Sequence, residues 1–367
     1  MDCKAPHQYS RHTTRVRVWC RAVKLRPESA TLKAAAERKA AATRKAAATR
    51  KATATRKAAA TLKAAAERLR AAASAAIAPR VGDGAVDGGA VDGGAVDDDG
   101  AVTARPESAV LEAAAERLRA AMVAGVPCEP VRGLLGDSAG PEAGYAVQQI
   151  NTEHWLAAGR RVSGHKVGLT NPAVQEQLGM DEPIWGILYS DKCRTDGDDI
   201  GGTGLIEPRV EVEVAVVLGA DLDKGQHTVA DVIGATAYVL PAFEIVDSRI
   251  AWDITNCDMI ADNAGSGLYV LGTRPVPLAA VDLRRVEMRL TINGEEAATG
   301  TGAACLGNPL NAVLWLADTM SRRGTPLQAG ETIMTGSLCG MLPLSAGDEL
   351  VADIDGVGTV SAHMSAT

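Results

Sequence analysis

The sequence has few aromatic residues and no arrangement of cysteines that indicates a disulfide framework or a zinc site. Aromatic side chains make up 3% of the 367 residues, and Phe243 is the only phenylalanine. A core must therefore be built mainly from Val, Leu, Ile, Ala and Met. The seven cysteines are odd in number and scattered, without a Cys-x-x-Cys spacing (positions 3, 20, 128, 193, 257, 305 and 339). They indicate free thiols in a reducing compartment.

Long apolar runs are also missing. No stretch reaches the roughly 18 consecutive apolar residues that a membrane-spanning helix needs, and the N-terminus lacks the apolar centre of a secretory signal peptide. The sequence therefore predicts a cytoplasmic protein without a membrane contact.

The charge is divided unevenly along the chain. The formal net charge is −7, yet residues 1–80 carry 20 Lys and Arg against four acidic residues, a net charge of +16. The remainder therefore carries −23. This division predicts a basic arm attached to an acidic body.

Residues 1–104 are of low complexity. Near-copies of Lys-Ala-Ala-Ala-Thr-Arg follow one another from Lys39 to Arg56, and a Gly/Asp-rich run with a five-residue period begins at Gly84. Six residues advance a helix by about 600°, so the charges spiral around it and leave no apolar stripe to pack. We expect an arm that is disordered or a frayed helix, joined by a flexible linker to a catalytic domain at 105–367.

The body reads as an α+β fold, with N-terminal helices followed by a large mixed or antiparallel sheet. Apolar spacing and capping residues predict helices at 107–123, 141–159, 175–178 and 309–322. Alternation between turn residues predicts strands at 165–169, 210–218, 237–246, 267–271, 286–292, 331–334 and 349–354. Strands outnumber helices and do not alternate regularly with them, which disfavours a regular βαβ array.

The segment from Val210 to Leu218 is the first candidate for chemistry. Its alternation places Glu211 and Glu213 together on one face of a strand, about 6.5–7 Å apart. Two interpretations remain open from the strand alone: a half-exposed edge strand with a solvated acidic face, or a pair of oxygen ligands for a hard divalent cation.

Glu244 is a third candidate, because it is a lone carboxylate among apolar residues and is costly to bury unpaired. It can form a salt bridge with Arg249, or it can complete a site with Glu211 and Glu213. Three carboxylates suit Mg²⁺ or Mn²⁺, and no cluster of His and Cys in the sequence competes for zinc.

Several motifs in a fixed order carry a resemblance to a known family. They are Ser163-Gly164-His165-Lys166-Val167-Gly168-Leu169-Thr170-Asn171, the acidic strand, Leu240-Pro241-Ala242-Phe243-Glu244, Asp262-Asn263-Ala264, Leu306-Gly307-Asn308-Pro309 and Ile333-Met334-Thr335-Gly336-Ser337. Together they resemble the 2-hydroxypenta-2,4-dienoate (2-keto-4-pentenoate) hydratases of the fumarylacetoacetate hydrolase superfamily. The resemblance covers about residue 107 to the C-terminus.

The resemblance implies a β-roll of the fumarylacetoacetate hydrolase C-terminal type and a Mg²⁺- or Mn²⁺-dependent lyase of the meta-cleavage catabolism of aromatic or steroid rings. The implied metal ligands are Glu211, Glu213 and Glu244. Lys166 and Asp191 are the implied catalytic residues. The implied partners are a small 2-hydroxydienoate or 2-oxo acid and further copies of the chain.

Two roles follow from chemistry rather than from the resemblance. Lys166 is a candidate for proton transfer if burial lowers its pKa, and its alternative role is to balance the charge of three carboxylates. The triplet Thr335, Gly336 and Ser337 is a candidate for binding the substrate carboxylate, although such triplets are often only turns.

Three alternative functions stay open at this point. A 4-oxalocrotonate decarboxylase would use the same kind of chelated 2-oxo acid and expel CO₂. A C–C bond hydrolase of acylpyruvates would need a pair that activates water, for which His165 is a weak candidate. In a different class, the basic arm would tether nucleic acid non-specifically through phosphate attraction, beside a non-catalytic metal-binding module.

Overall fold

The computed structural model describes residues 108–136, 139–171, 175 and 182–366, and elements are numbered within this part of the chain. The helices are α1 (Ser108–Ala124), α2 (Arg132–Leu135), α3 (Pro141–Ala157), α4 (Val229–Ala235), α5 (Asn256–Ala261) and α6 (Pro309–Arg322). The strands are β1 (Val162–Gly168), β2 (Ile184–Tyr189), β3 (Cys193–Thr195), β4 (Arg209–Leu218), β5 (Thr236–Val246), β6 (Ser266–Leu271), β7 (Glu287–Ile292), β8 (Glu295–Thr301), β9 (Thr332–Met334), β10 (Leu342–Pro343), β11 (Glu349–Ile354) and β12 (Gly358–His363).

The strands form two sheets. The larger has eight strands in the order β2-β1-β9-β4-β5-β6-β3, with β10 also paired to β4. It is mixed, because β1 pairs with β9 and β3 with β6 in parallel, while β4 and β5 pair in antiparallel fashion. The smaller sheet has four strands in the order β12-β11-β7-β8. The expected α+β class with a large mixed sheet is confirmed.

Strand β4 lies inside the large sheet, not at its edge. It pairs with β5 along almost its whole length and with β9 on its other side. Val210, Val212 and Val214 are fully buried on one face, and Glu213 and Ala215 are fully buried on the other. The interpretation of a half-exposed edge strand is therefore wrong, because β9 covers the side that would have been open.

One face of the large sheet packs against α6. Asn308 caps this helix by accepting a hydrogen bond from Leu310 N at 3.0 Å, and Pro309 occupies its first turn. These are the residues that favour a helix start. Val313, Leu316 and other apolar side chains of α6 are buried in the main core together with the valines of β4.

The opposite face of the large sheet carries the acidic side chains. Around them lies a smaller apolar cluster formed by Leu188, Ala215, Val217, Leu240, Ala242, Tyr269 and Met334. Because strand side chains alternate, one pleat separates the valine face from the acidic face.

Most of the predicted elements agree with the structure to within a few residues, but five strands (β2, β3, β8, β10 and β12) and three helices (α2, α4 and α5) were missed. β2 is a continuous buried run without alternation, a pattern that does not distinguish strand from helix. The hairpin of β7 and β8 turns at Asn293 and Gly294, both with positive φ (57° and 79°). An Asn-Gly pair is a strong hairpin signal, and it could have located β8.

Some predictions concern residues that the structure does not describe. The arm at 1–104 and nearly all of the helix predicted at 175–178 lie outside the described residues, so the domain division stays a prediction. Within the described part of the chain, none of the helices has the length and apolar character needed to cross a membrane.

Candidate metal centre and active site

Three carboxylates converge on the acidic face of the large sheet. Glu211 on β4 is directly opposite Glu244 on β5, and Glu213 lies two residues further along β4. Side chains of directly paired residues point to the same face about 5 Å apart, so the register brings all three together. One oxygen from each lies within 4.8 Å of one from each of the others.

The oxygens of this cluster are buried without enough donors. Glu213 and Glu244 are 0% and 1% exposed, and neither Glu213 Oε1 nor Glu244 Oε2 has a hydrogen-bond partner among the described residues. A buried carboxylate oxygen without a partner is costly. An all-oxygen donor set of this kind fits a hard divalent cation such as Mg²⁺.

The pKa values of two of these acids are raised. Burial, reinforced by the charge of Glu244, raises the pKa of Glu211 to about 7 from an ordinary value of 4.5. Burial raises the pKa of Glu213 well above its ordinary value as well, with Glu244 and Glu211 adding to the effect. The site without a cation therefore resists holding three full negative charges.

We expect the metal-free protein to lose stability as pH rises from about 5 to about 7. In this window the folded state binds more protons than the unfolded chain, because the pKa values of Glu211 and Glu213 are raised, so the free energy of unfolding falls with pH. Mg²⁺ would bind the ionised carboxylates, so we expect it to raise the melting temperature more at the upper end of the window. Melting curves with EDTA and with excess Mg²⁺ test this; a pH-independent shift would contradict it.

Lys166 supplies a positive charge to the cluster. It lies on β1 opposite Gly186 of β2 and Met334 of β9, and its Nζ is 3.0 Å from Glu244 Oε1. The same ammonium donates a hydrogen bond to Ala264 O at 2.9 Å. The structure thus brings together the four residues that the sequence analysis singled out as metal ligands and lysine.

The pKa of Lys166 differs from the expectation. Burial acts to lower it, but the charges of Glu244, Glu211 and Glu213 together outweigh burial, so the pKa is raised above the ordinary value of 10.5. The sequence analysis considered a lysine pKa lowered by burial; the net shift is in the opposite direction, because the carboxylates outweigh the effect of burial.

The alternative salt bridge between Glu244 and Arg249 is absent. Arg249 instead pairs with Asp262: its Nε donates to Asp262 Oδ1 at 2.6 Å, and its backbone N donates to Asp262 Oδ2 at 2.8 Å. Glu244 is therefore left to Lys166 and to a cation.

Thr335, Gly336 and Ser337 follow β9 and lie beside the carboxylate cluster, where they form hydrogen bonds with the protein. Gly336 N donates to Glu213 Oε2 at 2.8 Å, and the Thr335 hydroxyl donates to Val214 O at 2.8 Å. The Ser337 hydroxyl donates to Cys339 O at 2.6 Å. Each of these donors already has an acceptor within the protein, so binding of a substrate carboxylate by Thr335, Gly336 and Ser337 stays a prediction.

Replacing Gly336 by alanine should weaken metal binding. Gly336 has a φ of +108°, and an added Cβ would lie 2.2 Å from the Oγ1 atom of Thr170. The strained backbone must move, which shifts the N–H that orients Glu213. We expect Gly336→Ala to lower Mg²⁺ affinity about tenfold or more, measured by calorimetry. Unchanged affinity in the folded variant would show that Gly336 does not orient the carboxylate. Gly340→Ala is a control, since nothing lies near its added Cβ.

Asp191 does not join the cluster. It lies in a 3₁₀ turn after β2, five residues beyond the Gly186 that pairs with Lys166, which is about 16 Å along an extended strand. Its carboxylate accepts hydrogen bonds from Arg160 Nε at 3.0 Å and Arg160 Nη2 at 2.9 Å. The structure thus places Asp191 in a surface ion pair with Arg160, and its catalytic role stays a prediction.

His165 lies beside Lys166 in sequence, but adjacent strand residues point to opposite faces. Its ring makes an edge contact with Trp185, and its Nδ1 lies 3.3 Å from Glu331 Oε2. His165 thus pairs with Glu331 on the face of β1 opposite Lys166, so this His–Glu pair does not lie beside the carboxylate cluster.

Backbone strain concentrates around the cluster. Among the described residues five non-glycine residues have positive φ: Leu169, Asn263, Ala264, Asn293 and Leu306. Ala264 supplies the carbonyl that binds Lys166, and Leu306 N donates to Thr170 O at 2.9 Å. Such strain is often stored at functional sites. Sequence reasoning noted the motifs that contain these residues but did not assign the Ala264 carbonyl a role.

The fold and the cluster define a class of protein: an α+β enzyme with a buried three-carboxylate centre for a divalent cation and a lysine at its edge. Residues 170–365 match the family model described as fumarylacetoacetate (FAA) hydrolase C-terminal. That match covers more than half of the chain, and this protein belongs to the fumarylacetoacetate hydrolase family.

Relatives within this family narrow the comparison. The chain is 51% identical to 2-keto-4-pentenoate hydratase 1 of Dechloromonas aromatica over 234 residues, 64% of this chain and 89% of the relative. It is 50% identical to the TodF product hydratase of Pseudomonas putida over 240 residues, 65% of this chain and 89% of that relative.

A solved structure in the same family is also similar. It is 4-oxalocrotonate decarboxylase from Pseudomonas putida G7, described as complexed with magnesium and adipate. The TM-score is 0.67 at 34% identity, and the match covers 71% of this chain and 99% of the other.

Proposed function

We propose that this protein is a divalent-metal-dependent hydro-lyase that acts in the meta-cleavage catabolism of aromatic or steroid rings. It converts 2-hydroxypenta-2,4-dienoate (2-keto-4-pentenoate), or a close homologue, to the 4-hydroxy-2-oxo acid. The observation that carries the proposal is the buried site of three carboxylates and a lysine in a chain half identical to hydratases of this substrate class.

Glu211, Glu213 and Glu244 would hold the cation, which we propose to be Mg²⁺ or Mn²⁺ because all donors are oxygens. A bound divalent cation supplies a Lewis acid for the carboxylate and neighbouring oxygen of a 2-oxo acid. The protein contributes the buried face of β4 and β5, where low polarity strengthens each charge interaction.

Lys166 would handle the proton. Conversion of the dienol to the oxo form removes the enol proton and adds a proton at C5; water then adds its oxygen at C4 and its hydrogen at C3, so one water is consumed overall. The Lys166 ammonium is held by Glu244 Oε1 and Ala264 O. The carboxylates raise its pKa, so a bound cation that offsets their charge would make this ammonium a better proton donor to the substrate.

The competing function is decarboxylation, supported by the fold shared with 4-oxalocrotonate decarboxylase. One assay separates the two: the purified protein with Mg²⁺ is incubated with 2-hydroxypenta-2,4-dienoate and, separately, with 2-oxohex-3-enedioate. We expect hydration of the first and little CO₂ from the second. Release of CO₂ without hydration would replace our proposal by the decarboxylase; activity on neither would favour the non-catalytic module.

Removing residues 1–104 should leave catalysis intact. Every residue placed in the site lies beyond position 160, so we expect kcat/KM of the truncated chain to stay within about twofold of the full-length value. Steady-state kinetics of both proteins measure this. A large loss of turnover in the truncated, folded protein would place part of the site in the arm.

Two further expectations remain proposals. We expect the arm to bind nucleic acid only non-specifically, so that DNA binding disappears in moderate salt and is absent after truncation. We also expect a homo-oligomer, which sedimentation of the purified protein would measure.

A further inference from the structure

A cavity lies apart from the metal centre. Its volume is about 70 Å³, and it is bordered by α1, α3, the 3₁₀ turn after β2 and the start of β6. None of the three clustered glutamates lines it. Since one water molecule needs about 10–15 Å³ of cavity volume, this cavity has room for a molecule of a few heavy atoms.

Four cations line this cavity, and two of them are already paired. Arg160 is bound by Asp191, and Arg249 is bound by Asp262. The unpaired charges are therefore the ones that a ligand would meet.

Lys192 and Arg119 are those charges. Among the described residues, the Lys192 side chain forms no hydrogen bond and no ion pair, and Arg119 has a single side-chain hydrogen bond, donated to the neutral amide oxygen of Asn151 at 2.7 Å. Burial, followed by the positive charge of Arg160, lowers the pKa of Lys192. The charge of neighbouring Asp191, which Arg160 already binds, opposes this shift but does not cancel it.

Two acidic residues also line the cavity, and neither neutralises these cations: Asp262 is bound to Arg249, and Asp247 is engaged by backbone N–H groups. Asp247 accepts hydrogen bonds from two backbone groups, Ile206 N at 3.0 Å and Glu207 N at 2.8 Å. Its carboxylate thus accepts hydrogen bonds from the backbone of the loop before β4. Arg119 and Lys192 therefore remain the cations of the cavity without an anionic partner among the described residues.

The remaining wall is mixed: Gln148, Thr152 and Ser266 are polar, and three aliphatic side chains give it an apolar part. Leu118 and Met122 from α1 and Leu205 from the loop before β4 line it. A ligand that satisfies both walls carries one anionic group and a short hydrocarbon body. An inorganic anion would leave the apolar part in contact with water, and a hydrocarbon would leave the cations unpaired.

We propose that this cavity is a binding site for a small monocarboxylate, with the carboxylate between Lys192 and Arg119 and the hydrocarbon part against Leu118, Met122 and Leu205. The site adjoins the centre without being part of it. Asp262 and Asn263 line the cavity, and the next residue, Ala264, holds the Lys166 ammonium.

Butyrate is the probe, titrated by calorimetry into the Mg²⁺-loaded full-length protein. We expect binding that weakens about tenfold or more in Lys192→Met and in Arg119→Met, since each variant removes a charge-assisted hydrogen bond. Glu213→Gln should keep the binding, which separates this site from a carboxylate at the metal centre. Lys224→Met is the matched control, because Lys224 is exposed and pairs with Asp231 elsewhere.

Three outcomes would overturn the proposal. One is unchanged butyrate affinity in both Lys192→Met and Arg119→Met, each confirmed as folded by its melting curve. Another is binding that is lost in Glu213→Gln but kept in the two cation variants. The third is inorganic phosphate that binds as tightly as butyrate and equally needs Lys192, which would contradict the carboxylate class.

Discussion

Glu213→Gln is expected to abolish turnover and to leave the protein folded. Glutamine has nearly the same shape and can still accept the hydrogen bond from Gly336 N, but it removes one of three anionic ligands. We expect kcat/KM to fall at least about 100-fold and the stabilisation by Mg²⁺ to disappear. Because the pKa of Glu213 is raised, loss of its charge should keep or increase the stability of the metal-free protein.

The matched control is Glu287→Gln. Glu287 is exposed at the start of β7 in the smaller sheet, so the same chemical change there should alter neither kinetics nor the response to Mg²⁺. Steady-state kinetics and melting curves with EDTA or Mg²⁺ are measured for both variants. Full activity of the parent protein in EDTA, or a normal Mg²⁺ response in Glu213→Gln, would contradict the metal centre.

Lys166→Met is expected to have the second large effect. The substitution leaves Glu244, whose side chain is buried, without its ion pair. Removing one partner of a buried pair typically costs about 3–5 kcal/mol of unfolding free energy, so the metal-free variant should melt lower, and Mg²⁺ should recover part of the loss. Turnover should fall at least about 100-fold through loss of the proton donor.

Lys166→Arg separates the two roles that the sequence left open. Arginine keeps the positive charge but does not release a proton in a protein. If Lys166 transfers a proton, Lys166→Arg should regain stability relative to Lys166→Met without regaining turnover, as measured by melting curves and kcat. Recovery of turnover as well would show that charge balance is the whole role of Lys166.

Part of the site could be predicted from local sequence pattern. The alternation from Val210 onward requires Glu211 and Glu213 to share a face whatever the strand pairs with, because the period of a strand is two. The capped start of α6 at Asn308 and Pro309 is equally local. Glu244 stood out because a single charge among apolar residues must find a partner.

Other features depended on contacts between distant parts of the chain. Sequence could not place β4 inside the sheet, because its cover by β9 comes from a strand more than 100 residues later. Asp191 looked equally available for chemistry, yet the turn after β2 carries it to Arg160. Lys166 pairs with Glu244 and Arg249 with Asp262, although Arg249 is much nearer to Glu244 in sequence.

The sequence by itself determined which side chains share a face of a strand, since that depends only on the geometry of the strand backbone. The tertiary structure decided which of those faces is buried, how the register brings Glu211 to Glu244, and which way the pKa of Lys166 moves. Burial of a face depends on which elements pack against it, and the pKa of Lys166 depends on its distances to charges on other strands. Such distances are set by strand order and register, which no local pattern contains.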